Sequence, residues 1–107
     1  MVETQTRFSF MIAILIIYIV LKGYRVTFGD AWAKKDEGRP HSANSRHYDR
    51  LAIDLNLFKD GKYLSETEDH EPFGKFWQFM GGSWGGAFKD SKGNPRPDGN
   101  HYEWIEK

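Results

Sequence analysis

The sequence predicts an α+β fold in which a small, mostly antiparallel sheet packs against two helices. Three segments predict it: an apolar run near the N-terminus, an alternating apolar segment over residues 51–58, and aromatic residues at helical spacing over residues 67–80. In chain order, the sequence reads as helix, strand, loop, strand, helix, loop and strand. The length of 107 residues fits one domain spanning residues 1–107.

The first predicted element is a helix over residues 4–22, which Gly23 ends as a C-cap. It contains an unbroken apolar run over residues 10–21. This run is shorter than the roughly 20 apolar residues that cross a bilayer, and no small-residue cleavage site follows it. We therefore expect the 1–22 segment to be a core helix buried on most of its circumference. An uncleaved membrane anchor is the alternative.

The next segments predict two strands separated by a loop. Residues 24–28 include β-branched and aromatic residues, which favour a short strand, and residues 33–46 have the polar composition of a mobile loop. Residues 51–58 form the clearest strand, because apolar residues there alternate with Ala52, Asp54 and Asn56.

The C-terminal half predicts a hairpin return at residues 63–64, a helix over residues 67–80 and a last strand over residues 101–105. The glycine-rich stretch at residues 81–86 is expected to form surface loops. His70 lies in an acidic run, which predicts a solvated helix start.

Composition excludes several classes of function. The chain has no cysteine, so it has neither disulfides nor thiolate metal ligands, and any metal must be held by nitrogen and oxygen. Fifteen basic and fifteen acidic residues give zero formal charge, without the basic stripe that binds a phosphate backbone. Nucleic acid is therefore not expected as a partner.

Three residues in this pattern indicate a zinc site. Two imidazoles and one carboxylate can hold Zn²⁺ and leave one position for water. Asp54 lies in the middle of the predicted strand on its non-core face, and His47 stands at the entry to the same strand. His101 begins the last strand after a turn that can bring it beside them. Ser45 and Asn56 are candidates for orienting these ligands through hydrogen bonds.

Two motifs support this interpretation by resemblance. Residues 45–54 resemble the Ser-x-His-x-x-Gly-x-Ala-x-Asp signature of a zinc peptidase family, with Arg50 at the glycine position. Asp98-Gly99-Asn100-His101 matches the second signature, an acidic residue and two spacers before a zinc histidine. The family comprises D-Ala-D-Ala carboxypeptidases, vancomycin-resistance dipeptidases and phage L-alanyl-D-glutamate endolysins. Residues 23–32 and 55–61 look most similar to the phage endolysins.

The resemblance implies roles for individual residues. His47, Asp54 and His101 would bind zinc, and Asp98 would act as the general base and acid. Glu103 is an alternative to Asp98, since it follows His101 by two residues. The family's substrate-binding arginine is replaced by Ala33-Lys34, so its role would fall to a nearby cation, which can be Lys34, Lys35 or Arg39.

The expected function is zinc-dependent hydrolysis of a peptidoglycan stem peptide by a monomer that serves phage lysis. Either an L-alanyl-D-glutamate bond or a D-Ala-D-Ala bond is the expected target. Such an enzyme would stay in the host cytoplasm until its release to the cell wall. Two alternatives remain: a non-catalytic wall- or membrane-associated protein that retains the fold, and a small membrane-anchored interaction protein.

Overall fold

The computed structural model describes residues 2–29 and 51–104 and confirms the α+β class. Its elements follow one another in the predicted order, with two additions after the second helix. They are α1 (Val2–Leu21), β1 (Arg25–Phe28), β2 (Ala52–Lys59), β3 (Lys62–Leu64), α2 (Thr67–Phe79), β4 (Ser83–Trp84), a 3₁₀ turn (Gly85–Ala87) and β5 (His101–Glu103).

The end of α1 is the predicted glycine cap. Gly23 has φ 95°, a left-handed conformation that favours glycine. The Gly23 amide donates to the carbonyl of Val20, and the Tyr24 amide donates to that of Ile19. These two bonds form a Schellman motif, which satisfies the last carbonyls of the helix and turns the chain into β1.

The burial of α1 differs from the prediction. Only one stripe is buried, formed by Phe8, Ile12, Leu15 and Ile19. The opposite side exposes apolar residues, including Phe10 at 65% and Ile17 at 59%. The sequence could not show this, because a helix that is apolar all round has no polar face to mark its solvent side. By length and composition α1 could cross a membrane, a property that core helices and signal sequences share.

The sheet is antiparallel and is centred on β2. β1 pairs with one edge of β2, and the other edge is shared by β5 and β3. β4 extends the sheet beyond β5, where Trp84 pairs with Tyr102. The glycine-rich stretch therefore contributes a strand and a 3₁₀ turn, which corrects the prediction of loops alone. A strand of two residues has no periodicity to read, and only its pairing with β5 defines it.

The two sheet faces have different surroundings. Along β2, Ile53, Leu55 and Leu57 belong to a core cluster with the buried residues of α1 and α2. Because successive side chains of a strand alternate, Asp54 projects from the opposite face. In β5 the same alternation puts Tyr102 in the core and His101 on the face that carries Asp54.

The burial of His70 is a third difference from the sequence prediction. It is only 2% exposed, and its Nδ1 lies 2.8 Å from the hydroxyl oxygen of Tyr102. Burial lowers the pKa of His70 to about 4, although the neighbouring Asp69 carboxylate raises it in part. The acidic neighbours suggested a solvated position, but the partner that buries His70 lies in a distant strand.

Candidate metal centre

Asp54 and His101 meet because β2 and β5 pair in one register. They are directly opposite each other in that register, where side chains on one face are close neighbours. Asp54 Oδ1 lies 3.3 Å from His101 Nδ1. The imidazole side chain is 8% exposed and the carboxylate side chain 20% exposed, so both are largely shielded from water. The pairing of β2 and β5 therefore brings these two residues together, and their role as metal ligands stays a prediction.

Asp98 reaches the same imidazole nitrogen from a tight turn. The His101 amide donates to the Asp98 carbonyl over 3.1 Å, which folds residues 98–101 back on themselves. Asp98 Oδ2 consequently lies 4.0 Å from His101 Nδ1. Its side chain is 56% exposed, unlike that of Asp54. The acid-x-x-His spacing thus places the accessible Asp98 carboxylate beside His101.

The glycine-rich segment supports this turn. Trp84 Nε1 donates to the Gly99 carbonyl over 2.7 Å, and the Asp98 amide donates to the Gly85 carbonyl over 2.9 Å. A Cβ at Gly85 would overlap the carbonyl oxygen of Asp98 and crowd the Cβ of His101. Trp84 and Gly85 are supporting residues that the sequence analysis missed, since nothing in their spacing links them to residues 98–101.

The second ring nitrogen of His101 has a different partner. Its Nε2 lies 2.7 Å from Glu103 Oε1. Burial by itself would lower the pKa of His101, but the Asp54 and Glu103 carboxylates outweigh it and raise the pKa to about 9. Without a metal, the imidazole therefore binds a proton among these acids.

Asp54, Asp98 and His101 together could hold a metal ion. One ligand atom from each residue lies within 4.8 Å of the others. Two carboxylate oxygens and one imidazole nitrogen suit zinc and several other divalent ions. The arrangement is a candidate metal centre, and its donor set alone does not single out one ion.

Most of the other predicted site residues are not described by the structure. His47, Ser45, Lys34, Lys35 and Arg39 lie outside the described residues, as does the proposed 33–46 loop. Their roles stay predictions.

Asn56 lies on the Asp54 side of β2, and its Nδ2 is 3.4 Å from Thr27 Oγ1 in β1. This contact gives Asn56 a partner in the neighbouring strand. Its role in orienting a ligand stays a prediction.

Comparison with models of protein families and with curated proteins found no match for this chain. The resemblance to zinc peptidases therefore depends on the motif residues alone.

Proposed function

We propose that the protein is a zinc-dependent peptidase that cleaves a peptidoglycan stem peptide. The observation that carries the proposal is the convergence of Asp54, Asp98 and His101. These residues come from two separate motifs, and each motif resembles one signature of the same peptidase family. The bond cleaved is an L-alanyl-D-glutamate or a D-Ala-D-Ala linkage.

The donor chemistry fits zinc. Catalytic zinc sites commonly use three nitrogen or oxygen ligands and leave a fourth position open. Asp54 and His101 would supply two ligands, and His47 would supply the third. Asp98 would then transfer protons instead of binding zinc, which agrees with its exposure and its longer distance from His101 Nδ1.

Zinc, when bound, would lower the pKa of a water molecule to about 7 and polarise the scissile carbonyl. Asp98 would accept the proton of the attacking water and deliver it to the leaving amine. Asp54 and His101 are largely shielded from water on paired strands, while the exposed Asp98 faces the solvent from which substrate would arrive. Lys34, Lys35 or Arg39 would hold the substrate carbonyl.

This function implies a monomer that acts in phage lysis, held in the host cytoplasm until it reaches the cell wall. The main competing function is a non-catalytic wall protein with the same fold. A second competing function is a membrane-anchored interaction protein, and the observation that speaks for it is the exposed apolar side of α1.

Hydrolysis of purified peptidoglycan tests the proposal. We expect the zinc-loaded protein to release free amino groups, a chelator to abolish the release, and added zinc to restore it. Asp98→Asn should lower the rate by about 10²-fold or more, as loss of a general base does, while zinc binding persists. Glu71→Gln, an exposed change on α2, is the matched control and should leave the rate unchanged.

Mass analysis of the released fragments would identify the bond. Absence of any amino-group release by zinc-loaded protein would contradict the peptidase proposal. Full activity of Asp98→Asn would contradict the role of Asp98 alone.

A further inference from the structure

Glu103 occupies a position that the proposed reaction does not use. Its carboxylate lies 2.7 Å from Nε2 of His101, whereas Asp54 and Asp98 both lie on the Nδ1 side of the ring. The two nitrogens of an imidazole point away from each other across the ring. Glu103 is therefore on the far side of the ring from the candidate metal position.

The backbone of Glu103 is held by a side chain of α2 and by pairing with β2. Its backbone carbonyl accepts a hydrogen bond from Trp77 Nε1 over 2.9 Å, and the same indole nitrogen lies 3.2 Å from the Ser83 carbonyl. Opposite Glu103 in β2 stands Ala52, whose small side chain is fully buried. The Glu103 side chain is 14% exposed, so its contact with the imidazole is largely removed from competing water.

The consequence for His101 follows from the chemistry of imidazole. A neutral imidazole carries one proton, and the nitrogen without it is the one that binds a metal. A carboxylate at Nε2 favours the proton there, so Nδ1, on the side of Asp54 and Asp98, is the nitrogen that would exchange its proton for a metal ion. Carboxylate partners of this kind also orient the ring and increase its strength as a ligand.

We propose that Glu103 is a positioning residue, which holds the Nε2 proton of His101 and presents Nδ1 to a metal ion bound with Asp54. This inference rests on the metal site of the proposed function and is independent of the substrate. It also distinguishes the roles of the acids on either side of His101 in the sequence, because Asp98 lies on the metal side of the ring and Glu103 on the opposite side.

Zinc affinity of the full-length protein tests this assignment. Competition with a chromophoric chelator should show zinc binding weakened about 10- to 100-fold in Glu103→Gln, the range typical of lost partners of metal-binding histidines. Glu103→Asp keeps the charge but is one methylene shorter, so its affinity should lie between those of Glu103→Gln and the unmodified protein. Glu71→Gln makes the same change at an exposed position and should match the unmodified protein.

A spectroscopic readout separates positioning from a general loss of structure. In the zinc-loaded unmodified protein, proton NMR should show a downfield His101 Nε2 proton that is protected from exchange with solvent. In Glu103→Gln this signal should shift and exchange faster, while circular dichroism remains unchanged. If Glu103→Gln does not fold, Glu103→Asp provides the same comparison.

The possible outcomes distinguish the two proposals. Unchanged zinc affinity and an unchanged Nε2 proton in folded Glu103 variants would overturn the role of Glu103 and leave the metal site intact. If Glu103→Gln binds zinc more weakly and the zinc-loaded unmodified protein hydrolyses no peptidoglycan, the role of Glu103 would be supported and the peptidase proposal would be overturned. No zinc binding by the unmodified protein would overturn both.

Discussion

At the scale of single residues, His101 connects the elements of the candidate site. Its Nδ1 faces Asp54 across the β2–β5 pair and Asp98 across the preceding turn, and its Nε2 faces Glu103. The sequence analysis predicted that Asp54 and His101 lie together, and the motif resemblance implied that Asp98 joins them. Neither could distinguish the roles of Asp98 and Glu103, because that depends on which ring nitrogen each acid approaches.

Gly85 gives a residue-scale prediction. Because a Cβ at this position would overlap the Asp98 carbonyl, Gly85→Ala should displace the turn that carries Asp98 and His101. We expect a loss of about 1–3 kcal/mol in unfolding free energy, typical of overpacking, together with weaker zinc binding. Urea unfolding and zinc titration measure the two effects.

Gly93→Ala is the control for Gly85→Ala. Gly93 has φ 84° and open space around its Cα, so alanine there strains only the backbone. It should lower stability without changing zinc affinity. Equal loss of zinc affinity in the two variants would show that Gly85 has no specific role in supporting the site.

His70 predicts a pH dependence of stability. Its folded-state pKa of about 4 lies below the ordinary value of 6.5, so the unfolded chain takes up the proton first as pH falls. The stabilisation is complete above pH 6.5 and is lost as pH falls from 6.5 towards 4. A shift of this size corresponds to about 3 kcal/mol.

Urea unfolding at pH 7.5 and pH 4.5 tests this dependence on His70. The unmodified protein should lose about 2–3 kcal/mol more than His70→Gln between these two conditions. Parallel losses in the two proteins would mean that other groups cause the acid sensitivity.

At the scale of elements, the apolar patterns predicted most of the secondary structure. Both helices, the long β2 strand and the hairpin return to β3 follow periodicities or turn signals in their own residues. The features that the sequence analysis missed depend on residues far away in the sequence. β4 exists through its pairing with β5, and His70 is buried through its contact with Tyr102.

The two sides of α1 provide an element-scale prediction. Leu15 is fully buried in the core cluster, whereas Ile17 is 59% exposed on the opposite side. Leu15→Ala should therefore cost about 2–5 kcal/mol of unfolding free energy, and Ile17→Ala should cost about 0.5 kcal/mol or less. Urea unfolding of the two variants measures the difference. Equal losses would mean that α1 buries both sides in solution.

At the scale of the whole molecule, one face of the sheet forms the hydrophobic core and the other carries residues of the candidate metal site. The face that packs on α1 and α2 is apolar, and the face that carries Asp54, His101 and Glu103 presents donors for a metal. Trp84 connects the two sides, because it belongs to the core and its Nε1 donates to the Gly99 carbonyl in the turn between Asp98 and His101. The fold thus holds Asp54 and His101 on paired strands, while Asp98 lies in the turn that precedes β5.

Zinc binding by the purified full-length protein tests the central claim most directly. Metal analysis and calorimetric titration should find about one tightly bound zinc per chain. His101→Ala, Asp54→Ala and His47→Ala should each weaken this binding by about 100-fold or more, since loss of a ligand costs more than the roughly 10- to 100-fold that follows from loss of an outer partner. His41→Ala, at a histidine without an assigned role, should bind as the unmodified protein does. No zinc bound under zinc-replete conditions, or full affinity in folded His101→Ala, would contradict the account.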